Sequence, residues 1–132
     1  MESKKYIKYY DNGSIMWEEW RLPNGNLHKE DGPAKIRYYT DGNKESEQWY
    51  KNGLYHREDG PSYRRWDVDG SIISEAWEID GNYHREDGPA TVRYNKDGNI
   101  GVNYYISNCF LTEEEWKIRR LPNTKIKRAL YK

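Results

Sequence analysis

Three histidines at a fixed spacing are the first residues in this chain that could do chemistry. His28, His56 and His84 lie 28 residues apart, and imidazole serves both as a metal ligand and as a general acid or base. Zinc needs ligands about 2.0–2.1 Å from one ion, whereas positions separated by two strands of a continuous sheet lie roughly 10 Å apart. We therefore predict a structural role, in which each imidazole binds the backbone of its own corner or a neighbouring glutamate.

Repeated carboxylates are the second candidates. Glu18, Glu47 and Glu75 occupy equivalent places in successive repeats, and paired carboxylates can hydrolyse glycosides. A side chain that recurs with the repeat fits structure better than one asymmetric catalytic site, so hydrolysis is the less favoured alternative. The expected ion-pair partners are the basic residues of adjacent corners, namely Lys29, Arg57 and Arg85.

The remaining candidates also favour structure over catalysis. Asp31, Asp59 and Asp87 lie in Glu-Asp-Gly-Pro corners but lack the alternating carboxylates of a calcium loop, so we predict that they cap their own turns. Cys109 has no matched histidine motif, and we predict a small buried residue beside the terminal cap. The sequence predicts no catalytic residue, no metal and no cofactor.

A repeat explains the spacing of these residues. The segment His56-Arg57-Glu58-Asp59-Gly60-Pro61 returns at 84–89, and a near copy lies at 28–33. A fixed period of this length indicates a repeat array, with units at about 5–32, 33–60, 61–88 and 89–111. Its structural positions, besides the three histidines, are Gly32, Gly60, Gly88, Pro33, Pro61, Pro89, Trp20, Trp49 and Trp77.

The residue pattern of each unit predicts two short strands. Apolar and polar residues alternate in Ala90–Tyr94, as in a half-buried strand, and Asp-Gly or Asn-Gly pairs between such runs predict type I′ hairpin turns. We expect one all-β domain over residues 1–132: a twisted antiparallel meander of about eight strands, near 6–10, 15–20, 34–38, 44–50, 62–66, 72–77, 90–94 and 100–105. Trp20, Trp49, Trp77 and Tyr105 should be equivalent.

The fourth unit departs from this pattern and predicts a cap. Thr112 with Glu115 forms a capping-box signature, which predicts a C-terminal helix over 112–121, followed by a basic tail at 122–132. Residues 1–115 carry a net charge of −7 and residues 116–132 carry +7. The tail therefore suits either the acidic sheet or an acidic partner.

Composition limits the classes of function. The chain has 22 basic and 22 acidic residues, one cysteine, 13 Tyr and 6 Trp, which predicts a thin aromatic core, no global field for nucleic acid and a reducing compartment. No run approaches the ~18 apolar residues of a membrane span. We expect a cytoplasmic protein that does not bind membranes.

The unit from Trp49 to Pro61 resembles MORN-type repeats, in the variant form found in phage, giant-virus and bacterial proteins. The resemblance covers roughly residues 6–121, although the unit is longer and its His-Arg-Glu-Asp-Gly-Pro corner is unusual. It implies a non-enzymatic binding or scaffolding module. Because one bacterial relative is antitoxin-like, it also implies an inhibitor or immunity protein directed at an intracellular protein.

The predicted contact surface is the exposed sheet face, because Tyr and Arg are enriched at binding hot spots. Its candidate residues are Tyr39, Tyr50, Tyr63 and Arg65. The alternative is single-stranded nucleic-acid binding through the basic C-terminal tail. The open strand at Tyr6–Tyr10 also allows a homodimer through the sheet edge, in place of a monomer.

Overall fold

A computed structural model describes residues 2–119. The predicted end of the helix and the predicted basic tail lie outside these residues. Within them the chain forms, in order, β1 (Lys4–Tyr9), β2 (Ile15–Arg21), β3 (Lys35–Tyr38), β4 (Lys44–Gln48), β5 (Tyr50–Lys51), β6 (Leu54–Tyr55), β7 (Tyr63–Trp66), β8 (Ile72–Ala76), β9 (Glu78–Ile79), β10 (Asn82–Tyr83), β11 (Thr91–Tyr94), β12 (Ile100–Ile106), β13 (Cys109–Leu111) and α1 (Glu113–Arg119).

One large antiparallel sheet dominates the part of the chain that the structure describes. Nine strands lie side by side in the order β1-β2-β3-β4-β7-β8-β11-β12-β13, while β5 with β6 and β9 with β10 form separate two-stranded ribbons. The predicted all-β meander with a C-terminal helix is confirmed. The predicted strand at 44–50 is wrong in one respect, because it breaks at Trp49 into β4 and β5.

The turns are of two kinds, and the prediction of type I′ turns holds for only one. In the β5–β6 ribbon, Asn52 and Gly53 both have positive φ, at 50° and 81°, as a type I′ turn requires. In the β3–β4 hairpin only Gly42 does, at 92°. The Gly42 N–H donates to the Tyr39 carbonyl at 3.0 Å, and the register shifts beside the turn, which describes a type I turn with a bulge.

The interior is small and partly polar. Ala34, Ser62 and Ala90, which follow the corner prolines, are fully buried. Their small side chains let the backbone of each corner lie directly against the neighbouring strand: the N–H of Trp20, for example, donates to the Ala34 carbonyl at 2.8 Å. No helix among residues 2–119 has the length and apolar character needed to cross a membrane.

The fourth unit is one residue shorter than the prediction assumed. The Arg85 N–H donates to the Tyr105 carbonyl, just as the Arg57 N–H donates to Glu78. Tyr105 is therefore equivalent to Glu78, and Tyr104 takes the tryptophan position instead. The turn falls on Ser107 and Asn108, which both have positive φ, so Asn108 and not Cys109 occupies the glycine place.

The helix closes the last unit with a tryptophan. Its N-terminus is a capping box, in which Thr112 and Glu115 exchange N–H to oxygen bonds at 3.1 Å each. Trp116 is 5% exposed, and its ring lies 4.7 Å from that of Tyr104. The prediction that Cys109 is buried is wrong: Cys109 is exposed on the outermost strand, and Leu111 is the residue of β13 that turns inward.

Candidate functional site

Each repeat corner lays a basic side chain over a tryptophan. The Arg57 guanidinium lies 3.9 Å from the ring centroid of Trp49, and the Arg85 guanidinium lies 3.7 Å from that of Trp77. In the first unit the Lys29 ammonium takes the same place over Trp20, at 3.9 Å. Such contacts contribute roughly 0.5–1 kcal/mol at exposed sites. In the terminal unit Trp116 replaces the cation, with its ring tilted by 40° to that of Tyr104.

Bonds within the corner fix the arginine. Arg57 Nε donates to Asp59 Oδ1 at 2.9 Å, and Nη1 donates to the Pro61 carbonyl at 3.2 Å. The guanidinium lowers the pKa of Asp59 below its ordinary value by hydrogen bonding and charge. Arg85 binds Asp87 in the same way, at 2.8 Å. For Asp59 and Asp87 the main partner is therefore the corner arginine and not, as predicted, the backbone of the turn; a hydrogen bond from the Asp59 backbone makes only a smaller contribution.

Gly60 is required because the Arg57 guanidinium needs the space that a side chain at this position would fill. Its φ is not in the left-handed region, yet an added Cβ would lie 2.7 Å from Arg57 Cζ. Gly88 stands in the same relation to Arg85, also at 2.7 Å. At Gly32 the nearest atom is the flexible end of Lys29, at 3.4 Å. The glycine of the repeat thus lets a guanidinium pass against the backbone.

The histidines join one unit to the next. His28 Nδ1 accepts the Asn52 N–H at 2.9 Å, and His84 Nδ1 accepts the Ser107 N–H at 2.9 Å. The predicted glutamate contact is present, since His28 Nε2 lies 2.6 Å from Glu30 Oε1. The predicted backbone partner is wrong, because it belongs to the following unit and not to the histidine's own corner. His56 contacts Asp80 equivalently.

The repeated glutamates are paired, but not with the corners. Glu18 lies 3.5 Å from Lys5, Glu47 lies 3.0 Å from Lys44, and Glu75 lies 2.7 Å from Arg64. The predicted pairing with Lys29, Arg57 and Arg85 is wrong because those side chains lie over the tryptophans. By register and alternation the three glutamates share one side of the sheet, which we call the glutamate face.

The opposite side carries all four residues predicted to form a contact surface. Tyr63 and Arg65 flank Arg64 on β7, so they project away from the glutamate face. Tyr50 stacks on Tyr55 with ring centroids 4.3 Å apart, and Tyr55 meets Tyr63 edge-on at 6.3 Å. The Tyr39 hydroxyl donates to the Trp66 carbonyl of the next unit at 2.8 Å. We call this side the arginine face.

The arginine face brings together a row of cations that the sequence interpretation missed. Register pairs Lys8 with Trp17 and Trp17 with Arg37, and it continues through Ser46 to Arg65 and through Ser74 to Arg93. We call Lys8, Arg37, Arg65 and Arg93 the cation row. Arg37, Arg65 and Arg93 recur every 28 residues, so alignment of the repeats contains the signal for these three. Lys8 lies 29 residues before Arg37, and only the strand register places it in the row.

Few acids offset the cation row. Arg37 lies 3.7 Å from Glu45, but within residues 2–119 neither Arg65 nor Arg93 makes an ion pair, and both are exposed. Beside the row, the buried Glu19 has two cations, with Lys35 Nζ at 3.0 Å and Arg21 Nε at 2.7 Å. Burial raises the pKa of Glu19, but these hydrogen bonds and charges outweigh it and lower the pKa below its ordinary value.

Within residues 2–119, one buried acid has no cationic partner. Glu78 is 9% exposed, and its carboxylate accepts a hydrogen bond from the Ser62 hydroxyl at 3.2 Å. Burial raises its pKa, partly opposed by that bond. Among residues 2–119 no group of three or more His, Cys, Asp or Glu side chains is arranged to hold a metal ion.

Comparison with known proteins assigns no family. No protein-family model matches the chain, and no curated protein or solved structure matches it either.

Proposed function

We propose that this chain is a non-enzymatic, MORN-like repeat module that binds a protein partner through the arginine face. One observation carries the proposal: the two faces of the sheet are unequal. Each repeated glutamate on one face has its own cation, whereas Arg65 and Arg93 on the other face make no ion pair within residues 2–119. Charged side chains that the fold does not use internally are available to a partner.

The aromatic residues beside the cations support the same face. Tyr50, Tyr55 and Tyr63 hold one another through ring contacts, and the hydroxyls of Tyr50 and Tyr55 both bond to Gln48. Side chains fixed in this way lose little further conformational freedom on binding, which favours association. Tyr and Arg are also the residues enriched at binding hot spots.

The more specific role follows from the resemblance to phage, viral and antitoxin-type repeats. We place the protein in the cytoplasm as an inhibitor or immunity-type protein of an intracellular target. A monomer fits this role, since Lys4, Lys5 and Lys8 lie on β1, one of the two edge strands of the sheet, and lysines on an edge disfavour pairing between copies. An edge-to-edge homodimer is the other arrangement that the open strand allows.

Affinity capture with charge-reversed variants tests the proposed function. Wild-type protein, Arg65→Glu and the matched control Lys96→Glu are immobilised and exposed to nuclease-treated host lysate; the Lys96 side chain is 95% exposed and lies in the turn between β11 and β12, outside the cation row. We expect a discrete protein to be retained by the wild type and by Lys96→Glu, and lost with Arg65→Glu. Retention that is seen only from lysate without nuclease treatment, or that is lost on deletion of residues 122–132, would instead support nucleic-acid binding through the tail.

A further inference from the structure

We propose that the cation row binds an extended acidic peptide segment that runs across the strands, one acidic side chain to each repeat unit. This inference rests on the proposed function, because it names the chemistry of the partner that the arginine face would hold. It requires that the spacing of the cations, their charge balance and their surroundings all fit such a chain.

The spacing fits an extended polypeptide. Successive members of the cation row are two strands apart, with Trp17, Ser46 and Ser74 between them. Neighbouring strands lie about 4.8 Å apart, so the cations recur about every 10 Å. A polyproline II chain advances about 3.1 Å per residue and returns to the same side every three residues, or about 9.3 Å. Acidic residues at every third position would therefore meet successive cations.

The charge balance favours an anionic partner on this face. Lys8, Arg65 and Arg93 are exposed, and within the described residues they have no acidic partner. At the position that Trp17 occupies in the first unit, the next two units have small residues, so Ser46 and Ser74 lie between the cations. A peptide backbone can approach most closely at the half-buried Ser74. Ser46 is only 2% exposed, so there the chain passes over the side chains that cover it, with its carboxylates directed to the arginines on either side.

Acidic rims limit the width of the anion that can bind. The Asp-Gly turns at one end of the strands carry Asp41, Asp69 and Asp97, and the corners at the other end carry Glu58 and Glu86. A strand of four residues such as β7 spans about 13 Å. A wide polyanion would bring its charge against both rims, whereas a single extended chain lies between them. Because sheets twist from strand to strand, a flexible chain also follows the row better than a rigid double helix.

The aromatic rings of this face favour a peptide over a single-stranded nucleic acid. Nucleic-acid platforms need ring planes on which bases can stack. The planes of Tyr50 and Tyr55 stack on each other, and Tyr63 meets Tyr55 through an edge contact. These rings are thus engaged within the sheet, while Arg65 and Arg93 have no acidic partner among residues 2–119, and Arg65 has only a hydrogen bond with Tyr39.

Fluorescence anisotropy with synthetic probes tests the inference on the full chain. The probe is a labelled twelve-residue peptide of four Glu-Ser-Pro units. Its controls are the Gln-Ser-Pro peptide, a peptide of the same composition with its four glutamates adjacent, and a twelve-nucleotide oligo-dT. The protein variants are Arg65→Gln with Arg93→Gln, the charge-keeping Arg65→Lys with Arg93→Lys, and, as a control outside the cation row, Lys96→Gln.

We expect the spaced acidic peptide to bind best and its binding to weaken with added salt. Loss of each arginine should weaken binding about two- to fivefold, as for an exposed ion pair. The double lysine variant and Lys96→Gln should retain binding. Equal thermal unfolding midpoints for all variants show that they are folded. Equal binding of the glutamine peptide or of the adjacent-glutamate peptide would overturn the inference, as would equal loss with Lys96→Gln or tighter binding of oligo-dT.

The two proposals fail in distinguishable ways. If a captured protein depends on Arg65 but no acidic peptide binds, the arginine face is a protein-binding surface and the acidic-peptide inference is wrong. If the acidic peptide binds as specified but no captured protein depends on Arg65, the cation row is an acidic-peptide site and the proposal of a protein partner in the lysate is wrong. If neither depends on Arg65, both are wrong.

Discussion

Substitution of Gly60 by alanine tests whether this glycine is needed to make room for the Arg57 guanidinium in the repeat corner. The new Cβ would lie 2.7 Å from Arg57 Cζ, too close for any real contact, so the guanidinium must leave the Trp49 ring. Since φ at Gly60 is outside the left-handed region, the backbone itself tolerates alanine. Any loss of stability therefore measures the displaced arginine and not backbone strain.

The expected loss follows from the contacts that Arg57 makes. Its stacking on Trp49 contributes roughly 0.5–1 kcal/mol, and its hydrogen bond to the Pro61 carbonyl contributes about 0.5–1.5 kcal/mol when well formed. Alanine offsets about 0.4–1 kcal/mol of this by restricting the unfolded chain. We expect Gly60→Ala to lower the free energy of unfolding by about 1 kcal/mol.

Urea unfolding in a double-mutant cycle provides the assay. Gly60→Ala is measured in the wild type and in an Arg57→Ala background, where the space over the glycine is empty. In that background the substitution should be neutral or slightly stabilising, giving a coupling of about 1–2 kcal/mol. The same substitution at Gly32 serves as an internal control, because the flexible Lys29 end at 3.4 Å can move aside.

Two results would refute this reasoning. If Gly60→Ala lowers stability equally in both backgrounds, the glycine is required for something other than the arginine. If Gly32→Ala is as harmful as Gly60→Ala, the identity of the stacked cation does not matter, and the close approach of the guanidinium is not the cause.

Three further predictions concern the cap and two buried acids. Trp116→Ala should cost about 3–5 kcal/mol and speed hydrogen exchange in β12 and β13 more than in β1. Because burial raises the pKa of Glu78 above 4.5, Glu78→Gln should stabilise the protein by about 1 kcal/mol at neutral pH, and this gain should shrink as pH falls through the raised pKa. Because the pKa of Glu19 is lowered, Glu19→Gln should lower the free energy of unfolding above pH 4.5. This difference between the variant and the wild type should disappear as pH falls through the lowered pKa. Urea unfolding at a series of pH values checks the predictions for both acids.

Much of the sheet was predictable from the chain because its signals are local. The alternation in Ala90–Tyr94 lies within a few residues, and the strand observed there is Thr91–Tyr94. The recurrence of Asp-Gly and of the His-Arg-Glu-Asp-Gly-Pro corner required only counting. Even so, the turn type at Gly42 depended on the bulge beside it, which no dipeptide pattern specifies.

The partners of charged side chains were the least predictable feature. Arg57 was expected to reach a strand glutamate, but the backbone of its corner places it over Trp49. Glu75 then pairs with Arg64, which lies directly across from it on β7. A long basic side chain can reach several acids, and its choice depends on distances that are set only when neighbouring strands are in register.

The sequence by itself determined the repeat, the order of the strands and the capping helix, because periodicity, turn residues and capping boxes act over short stretches of chain. Only the tertiary structure decided that Tyr104 and not Tyr105 continues the tryptophan positions, and that Lys8 joins Arg37, Arg65 and Arg93 in one row. The physical reason is register: a shift of one residue exchanges the two faces of a strand, and pairing between distant segments sets that shift.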